Sequence, residues 1–184
     1  GTQNKNKNFG SIRNKIDVTA ANVDDLTSYD VTSVFGGGNA ADYVPADTCA
    51  KKYAEVIIEG CDLTSIHEVY GGGYGAAVPA TDVLIKGTKI INNVFGGGYG
   101  AGTGNPGANI GFYTNSSDDT DYPSATGKAI VQLMAGTINH VYGGSNTKGN
   151  IRGGSSVTSV ERGAGAAGTG EACCDKLTIL EIFG

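Results

Sequence analysis

The chain has no tryptophan, one methionine, four prolines and six leucines in 184 residues. Helical bundles fill their cores with Leu, Ala and Met, so this shortage disfavours one. So few prolines exclude a Pro-rich linker, and no strict third-residue glycine period marks collagen. No stretch approaches 18 apolar residues, which excludes a membrane-spanning helix. Positive charge is scarce as well: 13 Lys and Arg against 18 Asp and Glu give a net charge of −5. That field repels phosphate backbones and no basic run offsets it, so nucleic acid is not an expected partner. The four cysteines, Cys49, Cys61, Cys173 and Cys174, form no C-x-x-C, and only His67 and His140 are at hand to complete a zinc set. No structural zinc and no cofactor are expected. Cys49 and Cys61 are candidates for a disulfide that closes a surface loop in an oxidising compartment, and Cys173–Cys174 reads as two thiols.

What is present points to strands. Glycine contributes 31 residues, while Val and Ile contribute 14 each. An apolar fraction of 39% is enough to bury a core, so disorder over the whole chain is not expected. Residues 1–14, Asn/Lys-rich between Lys5 and Lys15, read as a disordered leader whose first residue, Gly1, suggests a cloning scar or a processed end. Residues 15–184 read as one domain.

An internal repeat organises that domain. Val34-Phe-Gly-Gly-Gly-Asn returns as Val69-Tyr-Gly-Gly-Gly-Tyr, Val94-Phe-Gly-Gly-Gly-Tyr and Val141-Tyr-Gly-Gly-Ser-Asn. A weaker copy, Val157-Thr-Ser-Val160, aligns with Val31-Thr-Ser-Val34, and Ile182-Phe183-Gly184 opens a sixth. Three residues before each anchor stands a second aliphatic: Val31, Ile66, Ile91, Ile138, Val157 and Ile179. A spacing of three cannot keep both on one face of a straight strand, so a corner between them is expected, carrying Asn92-Asn93 or Asn139-His140. Upstream, Val56-Ile-Ile58, Val83-Leu-Ile85 and Val131-Gln-Leu133 read as strands with one buried face.

The anchors lie 35, 25, 47, 19 and 22 residues apart. The short intervals match one turn of a solenoid, and two outward insertions, Ala40 to Lys52 and Gly102 to Ser124, lengthen the first and third. The expected fold is all-β, a right-handed parallel β-helix of about five to six coils, cut off at its C-terminal end. The rival, an antiparallel sandwich or barrel, would want two-residue turns such as Asn-Gly between strands, which are missing. The glycine triplets are expected at tight corners or at positive φ.

Val-Phe-Gly-Gly-Gly-Asn-Ala-Ala and Val-Tyr-Gly-Gly-Gly-Tyr-Gly-Ala, each trailing a short Val/Ile strand, resemble the tandem repeats of large surface proteins in gut anaerobes such as Bacteroides. The resemblance covers about residues 16–184 and departs at Glu161-Arg162, where the aromatic and first glycine are lost. It implies a secreted or cell-surface, β-helical, adhesin-like protein, and implies no particular activity.

Candidate sites follow from the repeat. Phe35, Tyr70, Phe95, Tyr142 and Phe183 each follow an anchor aliphatic and should stack as a ladder. If the anchors point inward, alternation turns the rings outward, where they would stack on sugars; otherwise they form a structural stack sealed by the insertions or a neighbouring chain. Tyr74 and Tyr99 form a second, shorter pair with the same two readings. Asp118, Asp119 and Asp121 are a weak calcium candidate against a solvated loop. A calcium β-roll is excluded, since Ala stands where its Asp ligand is required. Gly102-x-Gly104-x-x-Gly107 and Gly163-x-Gly165-x-x-Gly168 mimic a dinucleotide fingerprint but lack its strand and helix. His67 and His140 fall at adjacent corner positions as solvated residues. No Gly-x-Ser-x-Gly or His-Glu-x-x-His is present, and Glu55, Glu59, Asp82 and Lys86 are the charged groups that would share an outer face in a polysaccharide-cleaving β-helix.

The expected function is therefore non-catalytic: a stalk or adhesin-like display module outside the cell, its partner a host or microbial glycan or a surface protein. Glycan binding through the rings is the alternative, and a polysaccharide lyase or hydrolase the second. The interrupted sixth copy also predicts end-to-end association between chains, or further coils.

Overall fold

The computed structural model describes residues 29–46, 48–60, 64–101, 107–112, 127–159 and 176–184. Among them the chain is all-β with no helix, and it makes nine strands. These are β1 (Val31–Phe35), β2 (Ala54–Glu59), β3 (Ser65–Tyr70), β4 (Thr81–Gly87) and β5 (Ile90–Phe95), followed by β6 (Ala129–Leu133), β7 (Gly136–Tyr142), β8 (Ser155–Ser159) and β9 (Leu177–Phe183). Alternate strands join different sheets. One sheet runs β1-β3-β5-β7-β9 and the other β2-β4-β6-β8, and every pairing is parallel. The antiparallel alternative is thereby overturned.

The repeat sets the register of the first sheet. Val31, Ile66, Ile91, Ile138 and Ile179 pair in one column, and Val34, Val69, Val94, Val141 and Ile182 in another. Ile66, Val69, Ile91, Val94, Ile138 and Val141 all enter one core with Val56, Ile58, Val83, Ile85, Val131 and Leu133 of the second sheet. Two aliphatics three apart thus face the same core. The pairing explains how: it skips one position at every level, passing from Ile66↔Ile91 to Glu68↔Asn93 and from Ile91↔Ile138 to Asn93↔His140. The skipped residues, Thr32, His67, Asn92, Asn139 and Leu180, are the expected corner.

The second sheet follows simple alternation. In β4 every odd residue, Thr81, Val83, Ile85 and Gly87, is buried, and Asp82, Leu84 and Lys86 alternate outward. Val56, Val83, Val131 and Val157 form its central inward column. Val157 therefore belongs here. Of the copy expected at Val157-Thr-Ser-Val160, the described residues 157–159 do not join the first sheet, where β7 pairs directly with β9, and Val160 lies outside the described residues. Ser155, Val157 and Ser159 alternate on one strand face, and without a glycine triplet nothing turns that segment into an anchor. Five levels of the first sheet result, the last anchor interval being 41 residues.

The triplets work by close approach. None of their glycines has positive φ; glycines of that conformation lie elsewhere, at Gly75, Gly136 and Gly154 among others. A Cβ on Gly96 would stand 2.6 Å from the Gly143 carbonyl oxygen and 3.2 Å from Val131 Cγ2. One on Gly71 would meet the Gly96 carbonyl and, at 2.9 Å, Val83 Cγ2. Gly36, Gly71 and Gly96 are thus pressed between the next level's backbone and the valine column of the second sheet, whereas Gly143 faces the Ser155 side chain. The parallel hydrogen bonding continues through it, Gly71 N donating to Phe95 O at 2.9 Å and Gly96 N to Tyr142 O at 2.8 Å. Beyond the triplets, single parallel bridges link Asn39, Tyr74, Tyr99 and Asn146, and then Val78, Ile110 and Ile151. Val78 and Ile110 are fully buried with Ala54 in a smaller apolar cluster.

Candidate functional site

The aromatic ladder forms as the repeat predicts. Phe35, Tyr70, Phe95, Tyr142 and Phe183 stack face to face, with centroids 4.7, 4.8, 4.7 and 4.8 Å apart and ring planes within 9° of parallel. That spacing equals the separation of neighbouring parallel strands, so registered pairing alone brings the rings into contact. The rings are not an open row, however. Tyr70 is 0% exposed and Phe95 7%, and each inner ring has both faces occupied by its neighbours. A sugar needs a ring face, and Tyr70, Phe95 and Tyr142 have none to give.

Tyr74 and Tyr99 supply the cover. They stack on each other at 5.2 Å and set their rings edgewise against Phe35, at 5.7 Å, and Tyr70, at 5.9 Å. The Tyr70 hydroxyl accepts from Asn146 Nδ2 at 3.0 Å. Burial pushes the Tyr70 phenol well above its ordinary range, against a smaller opposing effect of the Asn146 hydrogen bond. Tyr74 remains 40% exposed and is the large aromatic of this face most open to solvent outside the last strand. Asn39 and Asn146 bracket the Tyr74–Tyr99 pair, and the repeat already marks them as equivalents through the final Asn of Val-Phe-Gly-Gly-Gly-Asn and Val-Tyr-Gly-Gly-Ser-Asn.

The corner carries a polar ladder. Asn139 Nδ2 donates to Asn92 Oδ1 at 3.0 Å, and Asn92 Nδ2 lies 3.3 Å from His67 Nε2, which must be the acceptor because an amide nitrogen only donates. Both asparagines are buried, so these bonds satisfy amides that water does not reach. His67 and His140 occupy adjacent, non-equivalent columns, as expected, but each is only partly exposed and partnered within its own column. His140 Nδ1 meets Asn93 Oδ1 at 3.1 Å, and its Nε2 lies 3.5 Å from Glu181.

On the outer face of the second sheet the four charged candidates come together as two pairs. Glu55 and Asp82 are register partners, and Lys86 Nζ lies 3.4 Å from Glu59. Glu55 is held by Lys51, whose Nζ reaches both carboxylate oxygens at 2.9 and 3.0 Å. Burial raises the Asp82 carboxyl above its ordinary range, and the charge of Glu55 adds to the rise. Further along the column stand Ile130 and Ser156, which offer no third acid or base.

Among the described residues Cys49 is a free thiol, and its Sγ donates to the Lys51 carbonyl at 2.9 Å. Its proposed partner Cys61 lies outside the described residues, as do Asp118, Asp119 and Asp121. Among the described residues no three His, Cys, Asp or Glu side chains gather to hold a metal ion. No helix among them is long and apolar enough to cross a membrane. No family model, curated protein or solved structure matches the chain.

Proposed function

We propose that the chain is a display module, a right-handed parallel β-helix of stacked coils that serves as a stalk or adhesive surface outside the cell. The observation that carries this reading is the like-on-like column. The same residue types meet across five levels as rings, across the triplets as glycines, and at the corner as amides. Such columns give each level contacts chiefly with its neighbours, the arrangement of solenoids. The bridges through Tyr74 and through Ile110 extend the parallel pairing beyond the two sheets, which supports a closed coil. The resemblance to tandem surface repeats supports the extracellular setting.

Mechanical pulling between the chain's ends tests the proposal. A stacked module yields in successive steps, each releasing one coil; the 25 residues between Val69 and Val94 would add about 80–90 Å of extended chain. A single all-or-none release at low force would overturn it.

Glycan binding is kept as a second reading on the exposure of Tyr74 alone. Titration with oligosaccharides should then be abolished by Tyr74→Ala, and binding unchanged by that variant would end the reading.

A further inference from the structure

We infer that His67 is a proton-operated switch that sets the direction of the corner ladder, and that its reversal carries from β3 through β5 to β7. The ladder has a direction because its bonds are not symmetric. Asn139 Nδ2 donates to Asn92 Oδ1 and Asn92 Nδ2 donates to His67 Nε2, so every donor points toward the imidazole. An imidazole nitrogen accepts a hydrogen bond only where it carries no proton, which places the neutral ring's hydrogen on Nδ1. Nδ1 is itself buried and bonds nothing among the described residues, so no partner there holds the ring against a change at Nε2. A proton taken up from solvent can then enter only at the Nε2 lone pair, where it meets the hydrogens of Asn92 Nδ2 at 3.3 Å. Turning the Asn92 amide end for end presents Oδ1 to the new N–H and restores the bond with a charged donor, which strengthens it. That turn brings Asn92 Nδ2 to the place where Asn139 Nδ2 was donating, so Asn139 must turn as well. The next residue in the column is Leu180, whose side chain offers no polar group to oppose the second turn.

His140, in the adjacent column, lacks this property. Its Nδ1 meets an oxygen, Asn93 Oδ1, and therefore donates in either charge state, while a proton arriving at Nε2 faces the Glu181 carboxylate at 3.5 Å. No amide need turn there. The titratable and charged groups around His67 among the described residues leave its two nitrogens to the ladder. Tyr29 sets its ring edgewise to the imidazole at 5.1 Å. The Asp30 carboxylate accepts from Ser65 N and Oγ through Oδ2 and bonds neither ring nitrogen. Glu68 stands in the neighbouring column with Ser33 and Asn93. Within the column His67 is flanked by Thr32 of β1 and Asn92 of β5, both uncharged.

Nuclear magnetic resonance of the isotopically labelled 184-residue chain, titrated from about pH 8 to about pH 5, tests this across the ordinary histidine range. At the alkaline end the ring nitrogen shifts of His67 should report the Nδ1–H form; the Nε2–H form would overturn the inference. On acidification the side-chain amide signals of Asn92 and Asn139 should both move, with the midpoint of the His67 imidazole. Amides that stay still while His67 titrates, or a His67 that takes up no proton over this range, would overturn it as well. Asn139 lies two levels from His67, about 10 Å, so its response must be separated from the bare field of the new charge. Asn92→Leu does this by cutting the relay with a residue type that the column already holds at Leu180. Asn139 should then cease to respond although His67 still titrates, and a persisting response would show a field effect and end the relay. His67→Gln keeps an acceptor that cannot titrate and should abolish both amide responses, whereas His140→Gln should leave them in place. Loss of the responses in His140→Gln alone would assign them to the wrong histidine and overturn the switch. The tautomer and the His67→Gln comparison decide the matter even where Asn92→Leu fails to fold.

Discussion

The two sheets share one core but are built to different rules. In the five-stranded sheet consecutive residues are buried together, Val69 with Tyr70 and Val94 with Phe95, because the anchor faces the core while the ring lies beneath Tyr74 and Tyr99. In β2, β4 and β6 of the four-stranded sheet burial alternates strictly, and the outward residues Ile57, Leu84, Gln132 and Thr158 differ at each level. The lesson concerns where repetition is enforced. Where equivalent residues touch each other across levels, as rings and glycines do, the motif recurs nearly unchanged. Where only size and apolarity matter, as for Val56, Val83, Val131 and Val157, the pattern recurs without the surrounding sequence.

The sharpest way to break this contrast is to add volume. Gly96→Val drives a side chain into the Gly143 carbonyl and Val131, and should cost at least ~3 kcal/mol or abolish cooperative unfolding. Urea unfolding of Gly96→Val beside Leu84→Val, on the outer face of the second sheet, measures the difference. Removing a ring comes next. Tyr70→Ala should cost about 3–5 kcal/mol, since the ring is wholly enclosed and its loss leaves a cavity. Phe183→Ala, at the exposed end of the same ladder, should cost about 1 kcal/mol, and equal costs would show that the ladder does not act through burial.

A smaller effect is expected at the corner. Asn92→Ala removes the acceptor for Asn139 and the donor to His67, at about 1–3 kcal/mol, whereas Gln132→Ala in the second sheet should stay within about 0.5 kcal/mol. The last prediction concerns pH. Because Asp82 titrates higher folded than unfolded, its charged form is disfavoured by folding. Its contribution to stability is greatest below the ordinary carboxylate range and falls as pH rises through the folded value. Asp82→Asn should therefore raise the thermal midpoint at pH 7, and the gain should shrink on acidification. A lower midpoint at pH 7 would show instead that the Lys51–Glu55 pair already compensates the carboxylate.

Much of this was legible in the repeat. Anchor spacing predicted the aliphatic columns, a corner at Asn92-Asn93 and Asn139-His140, and the contact between successive rings. Parallel pairing followed from the lack of hairpin turns. Three features were not legible. The glycines looked like backbone-conformation residues, yet close approach between levels, which depends on three-dimensional neighbours such as Val131, sets their identity. Val157-Thr-Ser imitated Val31-Thr-Ser, and only the alternation of Ser155 and Ser159 around it distinguishes a second-sheet strand from an anchor. The openness of the rings could not be read either, because the cover is supplied by Tyr74 and Tyr99, four residues downstream of Tyr70 and Phe95.

The contact of Gly71 with Gly96, and of Gly96 with Gly143, has a consequence for how such a chain can grow. Gly36, Gly71 and Gly96 each fit against the carbonyl of the next first glycine, so the surface one of these levels offers is the surface it accepts. A tandem duplication that copies one complete level, whatever the length of its outward insertion, adds a level without altering either neighbour, while a copy that omits one of the level's strands misplaces every column beyond it. Lengthening of such a stack is thereby quantised in complete levels.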